Sequence, residues 1–547
     1  MQILLDEIYR WDEYKRDGNA LSHKGAAGIA GDISQILAEC GNGYEAKIVD
    51  LLSSWGKYGS GICRVGDRLA AWVDHIRSYP IFYADTDTGL VISNSARLLM
   101  RQTGLREPDE DSVLEFMTAG YVSGSHTLCK DIKALRAGEL LLCREGERPR
   151  IIRWFSYMPV GDNVSEPSDL RAEMGIVIDG IFKDLIERTD GRPIWVPLSG
   201  GLDSRIVLAK LHEHGHRNIQ AFSYGPKYNF EAIYARKVAH SLGCPWRFVD
   251  VGGQEARAIF EGDDRRAFWE YADGLKAAPS MREYAAILKL RESGLLTKDA
   301  VLINGQSGDY ITGGHIAKCW HVEGDHDANN FFETVIFKHY GLWPELNIPA
   351  NLERIKQRIS ECLPDDWRAY KKSSEWAKAE EIWEYYARQV CLVINGQRIY
   401  DYLGYDWELP LWDKKLVDFC AKLPLACKHH QLLYKDYLTS YNYKGLFPRQ
   451  EHNIWRWPVH MMWVLPAAKI IGMVAGKNAK KKFYDKMKYF GHYGDQYAFF
   501  ERKFHKQLSS RIRNIFSLYV HRWVQENGSL VPSRLYRSLP IMREGGV

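Results

Sequence analysis

No Cys-x-x-Cys occurs among the ten cysteines, which are scattered from Cys40 to Cys427. Their spacing indicates neither a zinc site nor a disulfide framework. Together with an acidic beginning that lacks a signal pattern, Met1-Gln-Ile-Leu-Leu-Asp-Glu, it points to a reducing cytoplasm. Long apolar runs are missing too. The best stretch near the end, Met461 to Gly476, is interrupted by Pro466 and Lys469 and is too short to span a bilayer. Charge of one sign is scarce: 73 Lys and Arg against 69 Asp and Glu leave +4. An extended nucleic-acid surface needs far more concentrated basic residues, so nucleic acid is not an expected partner. Repeats and low-complexity tracts are also absent.

What is present is a soluble globular composition, 46% apolar and 26% charged, in 547 residues. That length exceeds one compact core, so two or three domains are expected. The 18 Trp and 31 Tyr are read as core and interface packing. Residues 199–204 read Ser-Gly-Gly-Leu-Asp-Ser, between the apolar run Pro193 to Leu198 and a helix-like stretch from Arg205. Strand, glycine loop and helix start make a cradle for pyrophosphate: backbone N–H groups turn inward and the helix dipole favours negative charge. Ser199 and Ser204 add hydroxyls, and Asp203 adds a carboxylate able to hold Mg²⁺ against phosphates. The loop lacks the Gly-Lys-Ser/Thr ending of a Walker loop and the Gly-x-Gly-x-x-Gly of dinucleotide binders.

Residues 1 to about 155 hold short β-like segments, among them 68–73, 81–83, 89–92 and 139–143. Met158 to Ser168 has a linker's composition, and Leu170 to Arg188 has helical periodicity. From Pro193 strands (193–198, 219–224, 246–251, 300–303) alternate with helices (203–214, 230–242, 281–293). That order predicts a parallel sheet binding its ligand at the carboxyl ends of the strands. Beyond about residue 320 the pattern is mostly helical, and the basic run Lys477 to Lys488 reads as a solvated helix face. The segment Asn304-Gly-Gln-Ser-Gly-Asp309, continuing to Gly313-Gly-His315, follows a buried strand and brings a second carboxylate. Asp203 and Asp309 at neighbouring strand ends are the expected Mg²⁺ ligands.

The six-residue string resembles the PP-loop of ATP pyrophosphatases, which split ATP into AMP and pyrophosphate while adenylating a substrate. Phe222-Ser-Tyr-Gly225 with Glu231, then Gly305-Gln-Ser-Gly-Asp309 to Gly314, and Glu408-Leu-Pro-Leu-Trp-Asp413 resemble successive motifs of the asparagine synthetase family. In the first half, Trp72-Val-Asp-His-Ile-Arg77 to Pro80-Ile-Phe-Tyr83 is similar to the family's Arg-Asp-x-x-Gly-x-x-Pro-Leu-Tyr-Tyr. Asp131 to Gly138 resembles its Ile-x-x-Leu-x-Pro-Gly. The resemblance implies an α+β Ntn-hydrolase-like sandwich over residues 1–160, an α/β PP-loop domain (adenine nucleotide α-hydrolase-like) over 161–430, and a helical extension over 431–547. It assigns pyrophosphate to Ser199, Gly200, Gly201, Asp203 and Ser204. Adenine and ribose go to Pro197, Leu198, Tyr224, Asn304 and Gly305, and the acceptor side to Glu408. The cofactors it implies are ATP and Mg²⁺.

Departures from the family pattern refine the expectation. The family's glutaminase uses a cysteine directly after the initiator methionine; here Gln2 follows Met1, the nearest cysteine is Cys40, and no glutamine hydrolysis is expected. Gln306 stands where asparagine synthetases carry glutamate and β-lactam synthetases tyrosine, so neither aspartate nor a β-lactam precursor is the expected acceptor. β-Lactam synthetases and lasso-peptide cyclases share the glutaminase loss. A cation on the phosphates is sought among Lys444, Arg449 and Arg456. The expected activity is an ATP-dependent amide-forming ligase. Its acceptor is a small-molecule, sugar-acid or peptide carboxylate; its nitrogen comes as ammonia or an amine, from a separate glutaminase or from the substrate; and a homodimer is one assembly. Glutamine-hydrolysing asparagine synthesis, a non-catalytic scaffold and PP-loop RNA modification remain alternatives.

Overall fold

The computed structural model of the protein describes residues 1–16, 19–39, 41, 43–161, 165–225, 230–449, 461–492, 499 and 515–538. Cys40, Arg456 and residues 162–164 lie outside that set. The amino-terminal strands are β1 (Gln2–Leu4), β2 (Asp12–Arg16), β3 (Asn19–Lys24), β4 (Ser60–Val65), β5 (Arg68–Val73), β6 (Phe82–Thr86), β7 (Gly89–Ser93), β8 (Lys133–Ala134), β9 (Glu139–Arg144) and β10 (Arg150–Arg153). They form a four-stranded sheet, β1-β7-β6-β8, and a six-stranded sheet, β10-β9-β5-β4-β3-β2. Alternation along β5 fixes the packing. Leu69, Ala71 and Val73 face the other sheet and meet Leu90 and Ile92 of β7. Ala70 and Trp72 face the opposite way, toward Ile33 and Leu37 of α1 (Ala27–Glu39) and Ile48 and Leu52 of α2 (Tyr44–Ser54). On the far side α3 (Ala96–Thr103) packs on β6 and β7, giving helix, sheet, sheet and helix layers.

After α4 (Glu110–Ala119), the segment read as a linker is strapped down. The Val160 N–H donates to the Ala421 carbonyl at 2.9 Å and the Tyr157 N–H to the Tyr386 hydroxyl at 2.8 Å. One apolar core runs from Ala26 to Leu535 across this junction. α5 (Pro167–Thr189) follows, with Leu170, Met174, Ile178, Ile181 and Leu185 buried at helical spacing.

The third sheet holds β11 (Ile194–Pro197), β12 (Ile219–Gly225), β13 (Trp246–Asp250), β14 (Val301–Ile303) and β15 (Asp406–Glu408) in the order β13-β12-β11-β14-β15. Every pairing in it is parallel, as the alternation of strands and helices predicts. α6 (Leu202–Glu213) and α7 (Phe230–Ser241) connect its first three strands. Strand order reverses between β11 and β14, so the loops leaving these two strands part and open a crevice. β15 was not anticipated; its three residues, Asp-Trp-Glu, carry no strand periodicity.

The rest is mainly helical, and the helix near its end is not an appendage. Ile515–Glu526 buries Ile515, Leu518, Val520 and Trp523, and the Trp523 ring lies 4.8 Å from that of Phe116. The Trp523 indole N–H donates to Asp273 at 2.9 Å. Lys477, Lys480, Lys481 and Lys482 are exposed on helix Val464–His492. Among the described residues, no helix is long and apolar enough to cross a membrane.

Gly61 sits opposite Trp72, and a β-carbon at Gly61 would enter the buried indole. Gly61→Ala is therefore expected to cost about 2 kcal/mol of stability by overpacking, read from urea unfolding.

Candidate active site

β11 ends at Pro197, and the chain turns through Leu198–Gly201 into α6. The Leu198 N–H is spent on the Phe222 carbonyl at 2.8 Å, and the Ser223 hydroxyl donates to the Leu198 carbonyl at 2.6 Å. The two serine hydroxyls hold the loop closed. The Ser199 N–H donates to Ser204 Oγ at 3.1 Å, the two hydroxyl oxygens lie 3.0 Å apart, and the Gly201 N–H donates to Ser199 Oγ at 3.1 Å. Gly200 faces the backbone of Glu231 in the first turn of α7, 3.7 Å from where its β-carbon would stand. Arg205 braces the loop from behind. Its guanidinium donates to the Gly200 carbonyl at 2.9 Å and the Leu446 carbonyl at 2.8 Å, and stacks over the Tyr234 ring at 4.6 Å.

The loop after β14 approaches this turn more closely than side chains allow. A β-carbon on Gly305 would stand 2.5 Å from the Asp203 carbonyl oxygen and 2.7 Å from the Ser204 nitrogen. One on Gly308 would meet Leu411 at 2.6 Å and the Asp203 carboxyl carbon at 2.7 Å. Both positions are therefore restricted to glycine by space rather than by backbone angle. The contact they permit sets Asp309 on Asp203: the Asp309 N–H donates to Asp203 Oδ2 at 2.9 Å, while the Tyr434 hydroxyl donates to Oδ1 at 3.1 Å. Burial, and then the Asp309 charge, push the Asp203 carboxyl up to about 7.

Asp309 is treated differently by its surroundings. Burial opposes its ionisation, but the His315 bond and charge outweigh that and hold its carboxyl below the ordinary value. His315 Nε2 lies 3.1 Å from Asp309 and Nδ1 lies 2.5 Å from Glu384. Burial works against the imidazolium, yet Glu384 and Asp309 raise its pKa to about 9. Behind it, Glu384 also accepts from Arg388 at 3.0 Å and from Lys338 at 3.1 Å. Neutral pH thus finds an ionised Asp309 held by a cationic His315.

Asn304 joins the two sides of the crevice. Its N–H donates to the Glu408 carbonyl at 3.3 Å, its amide oxygen accepts the Gln306 N–H at 2.8 Å, and its amide nitrogen lies 3.4 Å from the Tyr400 hydroxyl. Tyr400 and Tyr224 both donate to Glu283, the latter at 3.2 Å. The Gln306 amide is committed to the opposite wall, donating to the Val393 carbonyl at 3.0 Å and accepting from Gln397. The carboxylate of Glu408 is paired with Arg188 at 3.2 Å. Lys444 and Arg449 are exposed, and from their segment it is the Leu446 carbonyl that reaches Arg205.

The structure thus gathers Ser199, Gly200, Gly201, Asp203, Ser204, Asn304, Gly305 and Asp309 in one crevice; the Gln306 and Glu408 side chains bond elsewhere, to Val393 and Gln397 and to Arg188, and Arg449 is exposed. Arg205, His315, Glu384, Tyr434 and Glu283 went unassigned in the sequence. Arg205 directly follows the loop and His315 closes the glycine-rich segment, so adjacency flags both; the other three lie far away in the chain and carry no local signal. Two triads of possible metal ligands exist among the described residues: Asp179, Glu213 and His214, and His339, Glu380 and Glu384. A lysine already bridges each: Lys210 contacts Asp179 at 2.6 Å and Glu213 at 2.8 Å, and Lys338 contacts Glu380 at 3.0 Å and Glu384 at 3.1 Å. Asp203 and Asp309 are a pair, a donor set suited to a hard cation that takes its remaining ligands from phosphates and water.

Residues 187–448 match the family model described as asparagine synthase. No curated protein matches the chain. Among solved structures, the glutamine phosphoribosylpyrophosphate amidotransferase of B. subtilis, complexed with ADP and GMP, aligns at 12% identity over 44% of this chain and 73% of that one, with a TM-score of 0.18. A second structure, described as the allosteric regulatory enzyme of purine biosynthesis, aligns at 10% identity over 54% of this chain and 56% of its own, also with a TM-score of 0.18. Structural overlaps this small carry no argument about function.

The raised Asp203 predicts a pH-dependent stability. An unfolded aspartate titrates near 3.8, so protonated Asp203 contributes stability that is complete below that value and lost as pH rises through about 7. In magnesium-free buffer, the stability advantage of Asp203→Asn over wild type in urea unfolding should be larger at pH 8.5 than at pH 5. Parallel curves at both pH values would remove the buried carboxyl contact.

Proposed function

We propose that this chain is an ATP-dependent carbon–nitrogen ligase that adenylates a carboxylate, releases pyrophosphate and passes the acyl group to ammonia or an amine. The observation that carries this reading is the meeting of Asp203 and Asp309 at a strand-order reversal, directly beside a glycine turn that opens α6. The asparagine synthase match over 187–448 covers both loops and supports the same reaction class.

In this reading the triphosphate lies over Ser199–Ser204, with the α6 dipole facing the departing pyrophosphate. Arg205 takes no phosphate; by tying the Gly200 carbonyl back it keeps that carbonyl from facing the anion. The nucleoside would lie along Pro197, Leu198, Tyr224, Asn304 and Gly305. The residues fit a divalent cation: two carboxyl groups on residues joined through the Asp309 N–H, one driven toward neutrality by burial and by the other's charge, are relieved by positive charge between them. Mg²⁺ held by Asp203 and Asp309 would neutralise the phosphates as the α-phosphorus is attacked. His315 and Glu384 keep Asp309 ionised and oriented for that task. Oxygen of the substrate carboxylate attacks the α-phosphorus, pyrophosphate leaves, and nitrogen then displaces AMP from the acyl-adenylate. Positioning both partners supplies roughly 7–11 kcal/mol of the barrier reduction. Glu408, paired with Arg188, is placed on the acceptor side, with a sugar uronate or a peptide or natural-product acid as the proposed acceptor.

The test is substrate-dependent release of AMP and pyrophosphate across a panel of carboxylic acids, with ammonium, amines or glutamine as nitrogen source. Carboxylate labelled with ¹⁸O should leave one label in AMP. Asp203→Asn and Asp309→Asn should each lower turnover by roughly a hundredfold or more while unfolding cooperatively. ADP and phosphate as products, or unlabelled AMP, would reject adenylation. Nitrogen taken from glutamine with aspartate as the acceptor would favour asparagine synthesis instead.

A further inference from the structure

Between the amino-terminal sheets and the second half lies a small cavity of about 10 Å³, lined by Arg77, Phe82, Lys276, Asn395 and Arg398, with Asp273 at its wall. Its charges do not balance. Asp273 is taken by Arg97 and by the Trp523 indole, and its other oxygen accepts the Leu275 N–H at 3.0 Å. Arg398 is paired with Asp401 at 2.8 Å and donates to the Ser78 carbonyl. Lys276 donates to the carbonyls of Ser123, Gly124 and His126, and burial lowers its pKa to about 8.

Arg77 has less. It is 5% exposed, its Nε is buried without a partner, and no hydrogen bond or ion pair joins its guanidinium to any described residue. Its guanidinium lies over the Phe82 ring, 5.9 Å from the centroid, a cation–π contact. The nearest acid in sequence, Asp74, is spent on the N–H groups of Gly59, Ile76 and Ser78 at 2.6, 3.0 and 3.0 Å. The backbone at Arg77 is left-handed, φ 57°, a conformation that disfavours any side chain. The asparagine synthetase pattern that aligns on Pro80 has glycine at this position. A long charged side chain therefore stands where the backbone prefers none, largely buried and with no ion pair to any described residue. A buried, unpaired guanidinium is costly unless something compensates it.

We propose that this cavity is a binding site for a single small anion, a halide or one carboxylate group, held by the Arg77 guanidinium beside Lys276. Arg77 offers its hydrogen-bond donors from the amino-terminal half, and Lys276, whose N–H groups already serve three carbonyls, adds its charge from the second. The site is separate from the Asp203–Asp309 crevice and does not depend on the reaction proposed there.

The test uses the full chain in chloride-free sulfonate buffer at fixed ionic strength, titrated with bromide and separately with formate while thermal unfolding is followed. A saturable rise of about 3 °C is expected at saturating anion, together with an anomalous bromide peak beside Arg77 in soaked crystals. Arg77→Gly suits the left-handed backbone, should fold, and should lose both the saturable rise and the peak. Arg77→Lys keeps the charge and should retain a weaker response. Response to formate without bromide would make the occupant a carboxylate. Equal responses from wild type and Arg77→Gly, or bromide confined to the surface, would overturn the proposal.

Discussion

The backbone of residues 305–308 lies against that of residues 203–204 with no room for a β-carbon, and most of the crevice follows from this contact. Gly305 and Gly308 allow it; each would otherwise drive a methyl group into Asp203 or Ser204. Once it forms, the Asp309 N–H can reach the Asp203 carboxylate, and two acids from residues 106 apart become one electrostatic unit. Burial, and then the Asp309 charge, displace the Asp203 carboxyl upward. Strand order holds the arrangement in place: β11 and β14 are neighbours, so the two loops leave the sheet side by side.

Around this pair the protein divides the labour by environment. Asp203 is enclosed and bonded to a phenol and an amide N–H, donors that tolerate either protonation state. Asp309 faces a histidine that Glu384 keeps cationic, and Glu384 is itself held by Lys338 and Arg388. Two carboxylates in contact are thereby set to different charges, an arrangement common where acids bind metal or move protons. The layer behind Asp309 comes from helices more than twenty residues downstream, so the position of a catalytic-type carboxylate depends on the packing of the whole helical half.

The halves of the chain are likewise not independent bodies. The Tyr58 hydroxyl donates to the Leu409 carbonyl at 2.6 Å, and the Tyr385 hydroxyl to the His75 carbonyl at 2.6 Å. Both bonds tie the amino-terminal sheets to segments flanking the crevice. The helix Ile515–Glu526 closes the junction from a third direction, with Arg265 and Glu526 bonded at 2.6 Å. What reads as linker composition at Met158–Gly161 is tied by its backbone to the neighbouring half, through Val160 and Gly161 N–H groups that donate to the Ala421 carbonyl.

Local periodicity and turn chemistry determined the sheet of β11 to β14, the helix starts and the glycine turn at 199–201, because those signals are carried by adjacent residues. The alternation of strand and helix likewise fixed the parallel order. Tertiary structure alone decided which distant groups complete the site: Tyr434 on Asp203, Glu384 on His315, Glu283 between Tyr224 and Tyr400, and β15 at the sheet edge. It also turned Gln306 toward Val393 and paired Glu408 with Arg188. Contacts across tens to hundreds of residues leave no pattern in neighbouring positions. They arise only when burial forces charged and polar groups to find partners within a shared core.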